Sequence, residues 1–430
     1  MKAKDSGRID PKHIDVLDGI RAISIIIVMI FHFWQQTWVF PIVKTPFLAF
    51  IGLQQIDFSP FAMVGYLFVD MMVLISGFLL FLPLMRQVFM GEEMTDWRTY
   101  AKRRLARIVP SYYFCILLLF FGFALPRGAY SSTAAAVRDL VTHLTFTHPL
   151  YVSTWLGTKL TPVLWTVAVE VWFYLLFPFF AEMIKRRQKA DPKKSLVASI
   201  IAIAALCFVF HGIALYWEKV VVMKPGRYLA MYINQLPAFM GVYANGMVGA
   251  LLYVLIAKHC ERGKGMAAAC TLLSLCSIVL IVRLIGQCAD LTYTPDKAQL
   301  WQVTERFKLT AAFMIFILST ALSAKWYRFL FSNALMRFLA GISYNLYIWH
   351  QWLAVQLKDP WRIPRWEGTV PPNQRWDHAW MNRYALIITI VAFAAAIAAT
   401  YLIEKPFAKL ILGKPLFPRK KAGENSALEA

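Results

Sequence analysis

The sequence predicts an all-α protein, a polytopic transmembrane helix bundle of about ten spans. Three observations lead there. Hydrophobic residues make up 59% of the 430 positions and charged residues only 16%, whereas a soluble chain carries nearer half and a quarter. The apolar excess comes in blocks long enough to cross a bilayer, roughly 20 residues each. Lys and Arg concentrate in alternate connecting segments, the asymmetry that orients membrane proteins.

The blocks lie at 20–38, 61–85, 111–127, 162–184, 196–217, 236–257, 266–286, 308–325, 336–355 and 384–403. With the N-terminus inside, the inner segments include "RRLAR" at 103–107, "KRRQKADPKK" at 185–194, "KHCERGKG" at 258–265 and the tail from 414. They hold roughly twice the Lys and Arg of the outer loops, which gives an N-in and C-in topology. Residues 1–17 then form a cytoplasmic tail, 18–407 a single membrane domain and 408–430 a basic cytoplasmic tail. The opening "MKAKDSGRIDPKHIDVLDG" is polar and mixed in charge, unlike a cleavable signal peptide. Of the two long outer segments, 128–160 and 356–383, the second is rich in Trp, Arg and Pro. It reads as a lid or sugar-contacting loop, or as an interfacial Trp belt.

A net charge of +21 would suggest nucleic acid in a soluble protein. Here the charge sits in short loops between apolar blocks, and no nucleic-acid motif accompanies it, so that class is excluded. The six cysteines form no CxxC pair and read as small buried hydrophobes. No His-Glu-x-x-His or Gly-x-Ser-x-Gly pattern occurs, so the expected chemistry uses His and carboxylate without a metal.

The first block, "LDGIRAISIIIVMIFHF", carries Arg21 and His32. Eleven residues make three helical turns plus roughly 20°, so both lie on one face, about 16 Å apart along the axis. Asp18 shares that face and is spaced to pair with Arg21. Taken alone, Arg21 is a snorkelling interfacial residue and His32 a bridging core histidine. Taken together they suggest an arginine that grips an anion and a deeper general base. In the second block Asp70 is the only formal charge, and Ser76-Gly77 interrupts the apolar run. Asp70 is either a packing partner for an arginine or a site residue, and Gly77 permits close helix approach. The segment "WRTYAKRRLARIVPSYYF" places Arg103, Arg104 and Arg107 before the third span, as an interfacial lipid-binding helix or as ligands for cofactor phosphates. In the fourth, Glu170 sits near mid-span in "LWTVAVEVWFYLLFPFF", where a carboxylate needs a partner or a water-filled cavity. In the ninth, "ISYNLYIWHQW" sets His350 at helical spacing from Tyr344 and Tyr347, an outer-interface polar cluster or part of a site.

These stretches, with "FVDMMVLISGFLL", "RRLARIVPSYY" and the closing "YLIEKPF", occur in one order from about residue 15 to 407. In that order the chain resembles the acyltransferase-3 family of integral membrane acyltransferases. The resemblance implies transfer of an acyl group, usually acetyl, from acyl-CoA to a hydroxyl, typically of a surface glycan or glycolipid. The family's Arg and His fall on Arg21 and His32, its membrane glutamate on Glu170 and its basic segment on Arg103, Arg104 and Arg107. Two departures stand out. The residues around the glutamate read "TVAVEVWFY" where Ser-Leu-Ser and Glu-Gln are common, and "RIVP" lacks the Tyr that often precedes the Pro.

The expected mechanism follows. Acyl-CoA, usually acetyl-CoA, is the co-substrate, with its phosphates on Arg21 and the 103–107 arginines. His32 is the general base. Glu170 is a second catalytic group that orients His32 or stabilises its protonated form, and Asp18, Asp70, Ser76, Tyr344 and His350 support the site. An acyl-enzyme on Ser76 lacks the nucleophile–base spacing. The implied location is a bacterial inner membrane, with membrane lipid and a glycan acceptor as partners and the oligomeric state open. The rivals are an acyltransferase for a small-molecule or lipid acceptor, a proton-coupled transporter and a non-enzymatic partner in glycan export.

Overall fold

The computed structural model describes residues 9–12, 14–52, 54–93, 95–186, 192–224 and 229–415. Residues 1–8, much of the basic 185–194 segment and the tail from 416 lie outside the described residues. The long helices are α1 (Val16–Thr37), α2 (Phe68–Met90), α3 (Trp97–Leu119), α4 (Thr133–Leu144), α5 (Trp165–Lys185), α6 (Pro192–Tyr216), α7 (Leu236–His259), α8 (Lys264–Ala289), α9 (Arg306–Leu322), α10 (Ala334–Lys358) and α11 (His378–Ala399).

The chain is an all-α, multi-pass integral membrane protein. Among the described residues, eight helical stretches are long and apolar enough to cross a membrane, and a ninth is counted if Arg306–Leu322 and Lys325–Lys358 form one span bent by 115°. The sequence predicts ten. The difference lies between 306 and 358, where two spans are predicted. There α9 is 17 residues long, and α10 mixes Asn, Tyr, His and Gln among its apolar residues, so neither reads as a full span alone. A small antiparallel hairpin, Ile42–Lys44 against Gln55–Asp57, is not predicted either. Its strands are only three residues long, too short for a period-2 signal.

Helix ends follow local rules. Gly91 adopts φ +71° beyond α2, and its N–H bonds back to the carbonyls of Arg86 and Gln87, the left-handed stop that glycine permits. The Asp96 carboxylate accepts from Thr99 N–H at 2.9 Å and starts α3.

Packing centres on α2, whose span is 78% buried. It lies against α7, where a methyl group on Gly246 would stand 2.6 Å from the Leu74 carbonyl oxygen. Only a residue without a side chain permits that approach. A methyl group on Gly77 of α2 would stand 3.0 Å from the Tyr243 ring of α7. In α1, a Gly19 methyl would collide with the Phe331 carbonyl, so α1 seats directly on the short helix Lys325–Ser332. The outer helices present Leu175, Phe179, Val279 and Leu386, each more than 60% exposed, as a lipid-facing surface should.

The buried charge Asp70 is a tie between helices. Arg306 Nε donates to its Oδ2 at 3.0 Å, and Arg306 Nη1 donates to the carbonyls of Ile233 and Ala238. Both side chains are buried, and the guanidinium lies 4.4 Å from the Phe239 ring centre. Of the two sequence readings of Asp70, the structure supports the packing partner.

Candidate active site

His32 lies on the side of α1 that faces α10. Its Nδ1 is 2.9 Å from Nε2 of His350 and 3.0 Å from the Val28 carbonyl oxygen. His350, fully buried, has its own Nδ1 3.0 Å from the Leu346 carbonyl. Two carbonyls decide the tautomers, because a carbonyl oxygen can only accept. His350 therefore carries its proton on Nδ1 and presents a lone pair at Nε2. His32 in turn carries its proton on Nδ1, shared between the Val28 carbonyl and that lone pair. The atom left over is His32 Nε2, an unprotonated acceptor with no partner among the described residues.

That ring lines a cavity of about 430 Å³, within the usual range for small-molecule sites. Trp34, Trp155 and Trp165 border it, with the amides of Gln35, Asn234, Gln299 and Gln302. Flat apolar faces next to amide donors and acceptors suit a ring with hydroxyl groups.

A second space adjoins the first, a slot of about 50 Å³ lined by Arg21, Arg107, Ser76, Glu170 and Tyr344. Ser76 Oγ donates to Glu170 Oε1 at 2.7 Å, and the Tyr174 hydroxyl donates to the same oxygen. The Tyr344 hydroxyl donates to the Ile108 carbonyl at 3.2 Å. Neither Arg21 nor Arg107 forms an ion pair or donates a hydrogen bond to another described residue. Two half-buried guanidinium groups without bonded partners are costly and call for an anion or water. Val69 and Tyr347 line both the slot and the cavity.

The predicted residues thus divide. Arg21, Arg107, Ser76, Glu170 and Tyr344 meet at the slot, while His32 and His350 meet at the cavity. The side chain within hydrogen-bond distance of His32 is His350, while Glu170 Oε1 accepts from Ser76 and Tyr174. Arg104 stacks over Tyr174 and Tyr100, 4.9 and 5.5 Å from their ring centres. Arg103 is exposed, one helical turn before Arg107. Asp18 makes no ion pair with Arg21 among the described residues, and Asp70 belongs to the tie with Arg306. The sequence reading missed the cavity tryptophans outside α1, the bond between the two histidines and the role of Arg306. Among the described residues no three His, Cys, Asp or Glu side chains gather where they could hold a metal ion.

An acyltransferase domain profile matches residues 14–405. The O-acetyltransferase OatA of Staphylococcus aureus strain NCTC 8325 / PS 47 is 22% identical over 448 aligned positions, covering 99% of this chain and 62% of the relative. The OatA of Staphylococcus aureus strain MRSA252 is 23% identical over 374 positions, covering 81% of this chain and 53% of the relative. The chain therefore spans less than two thirds of the length of these relatives. No solved structure matches it.

Proposed function

The chain belongs to the acyltransferase-3 family, and from that premise we propose that it is an O-acyltransferase that moves an acyl group, in the simplest case acetyl, from acyl-CoA to a hydroxyl of a cell-surface glycan or glycolipid in a bacterial inner membrane. The observation that carries the reading is the pairing of two spaces: a cavity with an unprotonated His32 Nε2, and beside it a slot with two unpaired arginines. The relatives' designation as O-acetyltransferases supports the same reaction class.

Arg21 and Arg107 hold the anionic part of the donor by charge-assisted hydrogen bonds. Glu170 balances their charge and, fixed by Ser76 and Tyr174, keeps the slot polar. With N-in topology this end faces the cytosol, where acyl-CoA is found. A slot of about 50 Å³ holds one or two waters at about 30 Å³ each, so donor entry requires side chains to move apart. The thioester then comes up beside the cavity. His32 Nε2 takes the acceptor hydroxyl proton as the oxygen attacks the thioester carbonyl. Positive charge develops on His32, and His350, accepting from its Nδ1–H, stabilises it. The cavity tryptophans and amides hold the acceptor sugar ring.

The test is mass spectrometry of surface glycans from cells expressing the wild type or His32→Ala, with insertion of both proteins verified. Loss of the acyl mark in His32→Ala is the expected result. Wild-type acylation by a well-inserted His32→Ala protein would remove the base from the mechanism.

A further inference from the structure

We propose that Tyr347 decides whether the acyl group passes to an acceptor or to water; this rests on the acyl-transfer reading above. Tyr347 and Val69 line both the arginine slot and the His32 cavity. A group handed from a donor in the slot to an acceptor in the cavity must pass between them. Val69 is short and stiff, so the larger part of the partition is the tyrosine ring.

That ring is fixed at both ends. Its hydroxyl donates to the Val163 carbonyl at 3.2 Å, and Val163 itself lines the cavity. Its ring centre lies 5.7 Å from that of His350, and the side chain is only 3% exposed. Tyr347 also sits one helical turn before His350 on α10, so it is positioned by the element that orients the base.

The chemistry makes such a wall matter. In transfer, the thioester C–S bond breaks and a C–O bond forms to the acceptor. The hydroxyl proton goes to His32 Nε2, and the leaving thiolate takes it back from there, which gives CoA and restores neutral His32. Water can take the place of the hydroxyl with the same bond broken, and the products are then a carboxylic acid and CoA. His32 would activate either nucleophile. What separates them is space beside the thioester: a cavity of about 430 Å³ holds many waters, whereas the slot holds one or two. The Tyr347 ring occupies the place where the two meet and keeps cavity water from the donor until an acceptor fills the cavity.

The experiment uses the full-length protein in lipid nanodiscs supplied with acetyl-CoA, with and without a glycan acceptor. Released CoA and acetylated product are measured separately, and thermal melting verifies folding. Tyr347→Phe keeps the ring and should leave product formed per CoA released within about threefold of wild type. Tyr347→Ala should raise acceptor-independent CoA release about tenfold and lower product per CoA correspondingly. Tyr347→Leu, which keeps apolar packing, provides the same reading should Tyr347→Ala fail to insert. An unchanged ratio in the ring-deleting variants, or Tyr347→Phe behaving like Tyr347→Ala, overturns the proposal. Absence of any CoA release by the wild type would instead overturn the underlying reaction.

Discussion

Replacing His350 with phenylalanine should slow acyl transfer about 5- to 30-fold while leaving the protein folded. The magnitude comes from the bond between the two rings, 2.9 Å long. In the resting site it joins neutral groups and is worth about 1 kcal/mol net. Once His32 holds the acceptor proton, the bond becomes charge-assisted and is worth about 2–3 kcal/mol. The difference, about 1–2 kcal/mol, acts on the transition state alone, and each 1.36 kcal/mol is tenfold in rate. Phenylalanine keeps a planar ring at the buried position but removes the acceptor. His350→Gln can return an oxygen to nearly the position of Nε2 and should recover most of the rate. The assay is the initial rate of transfer by purified protein in nanodiscs, with kcat and donor KM separated. The loss should fall on kcat, since the donor anion is held in the slot and not at His350. Wild-type kcat in His350→Phe, or a His350→Gln variant slower than His350→Phe, would refute the assignment.

Arg21→Ala should raise the donor KM about 10- to 150-fold, the loss of one charge-assisted contact of about 1.5–3 kcal/mol, with a smaller change in kcat; an unchanged KM would exclude Arg21 from the donor site. Asp70→Ala strands the buried Arg306 charge and should cost about 3–5 kcal/mol in an SDS-unfolding titration, whereas Asp70→Leu with Arg306→Met should regain much of it. Gly246→Ala must push apart α2 and α7 against a contact of 2.6 Å and should destabilise by about 1–3 kcal/mol in the same titration. Stability should also fall with acid through His148, which lies outside the spans and is stacked on His143 at 4.0 Å. Burial, and then His143, hold its pKa well below the ordinary histidine value, so the unfolded chain binds the proton first. Stability is then complete above about pH 6.5 and declines below it by up to about 1.4 kcal/mol per pH unit; a melting temperature equally acid-sensitive in His148→Gln would remove this cause.

How much of this was legible depends on the range of the interaction. Apolar blocks report their own length, so most spans could be read from composition. Helical periodicity placed Arg21 and His32 on one face, and the structure puts them on adjoining spaces that share Val69 and Tyr347. The contact of His32 with His350 crosses 318 residues and depends on α1 packing against α10, which the periodicity of either helix does not record. The spacing of Tyr347 and His350 on one helix was the available hint. Glu170 in mid-span demands partners; Tyr174, four residues on along α5, is within reach of helical spacing, whereas Ser76 becomes a partner only where α2 meets α5. The arginine cluster was visible as a group. Only packing separates Arg107 at the slot from Arg104 on its tyrosines and Arg103 in the open.

The central claim is that His32 Nε2 takes the proton from the acceptor. Its most direct measurement is single-turnover transfer of a labelled acetyl group from acetyl-CoA to a glycan acceptor, comparing purified wild type with His32→Gln at saturating donor. A general base contributes about 10²- to 10⁴-fold, so the variant should bind donor as the wild type does and transfer at least about 100-fold more slowly. Transfer within a few-fold of the wild-type rate by a folded, donor-binding His32→Gln protein would contradict it.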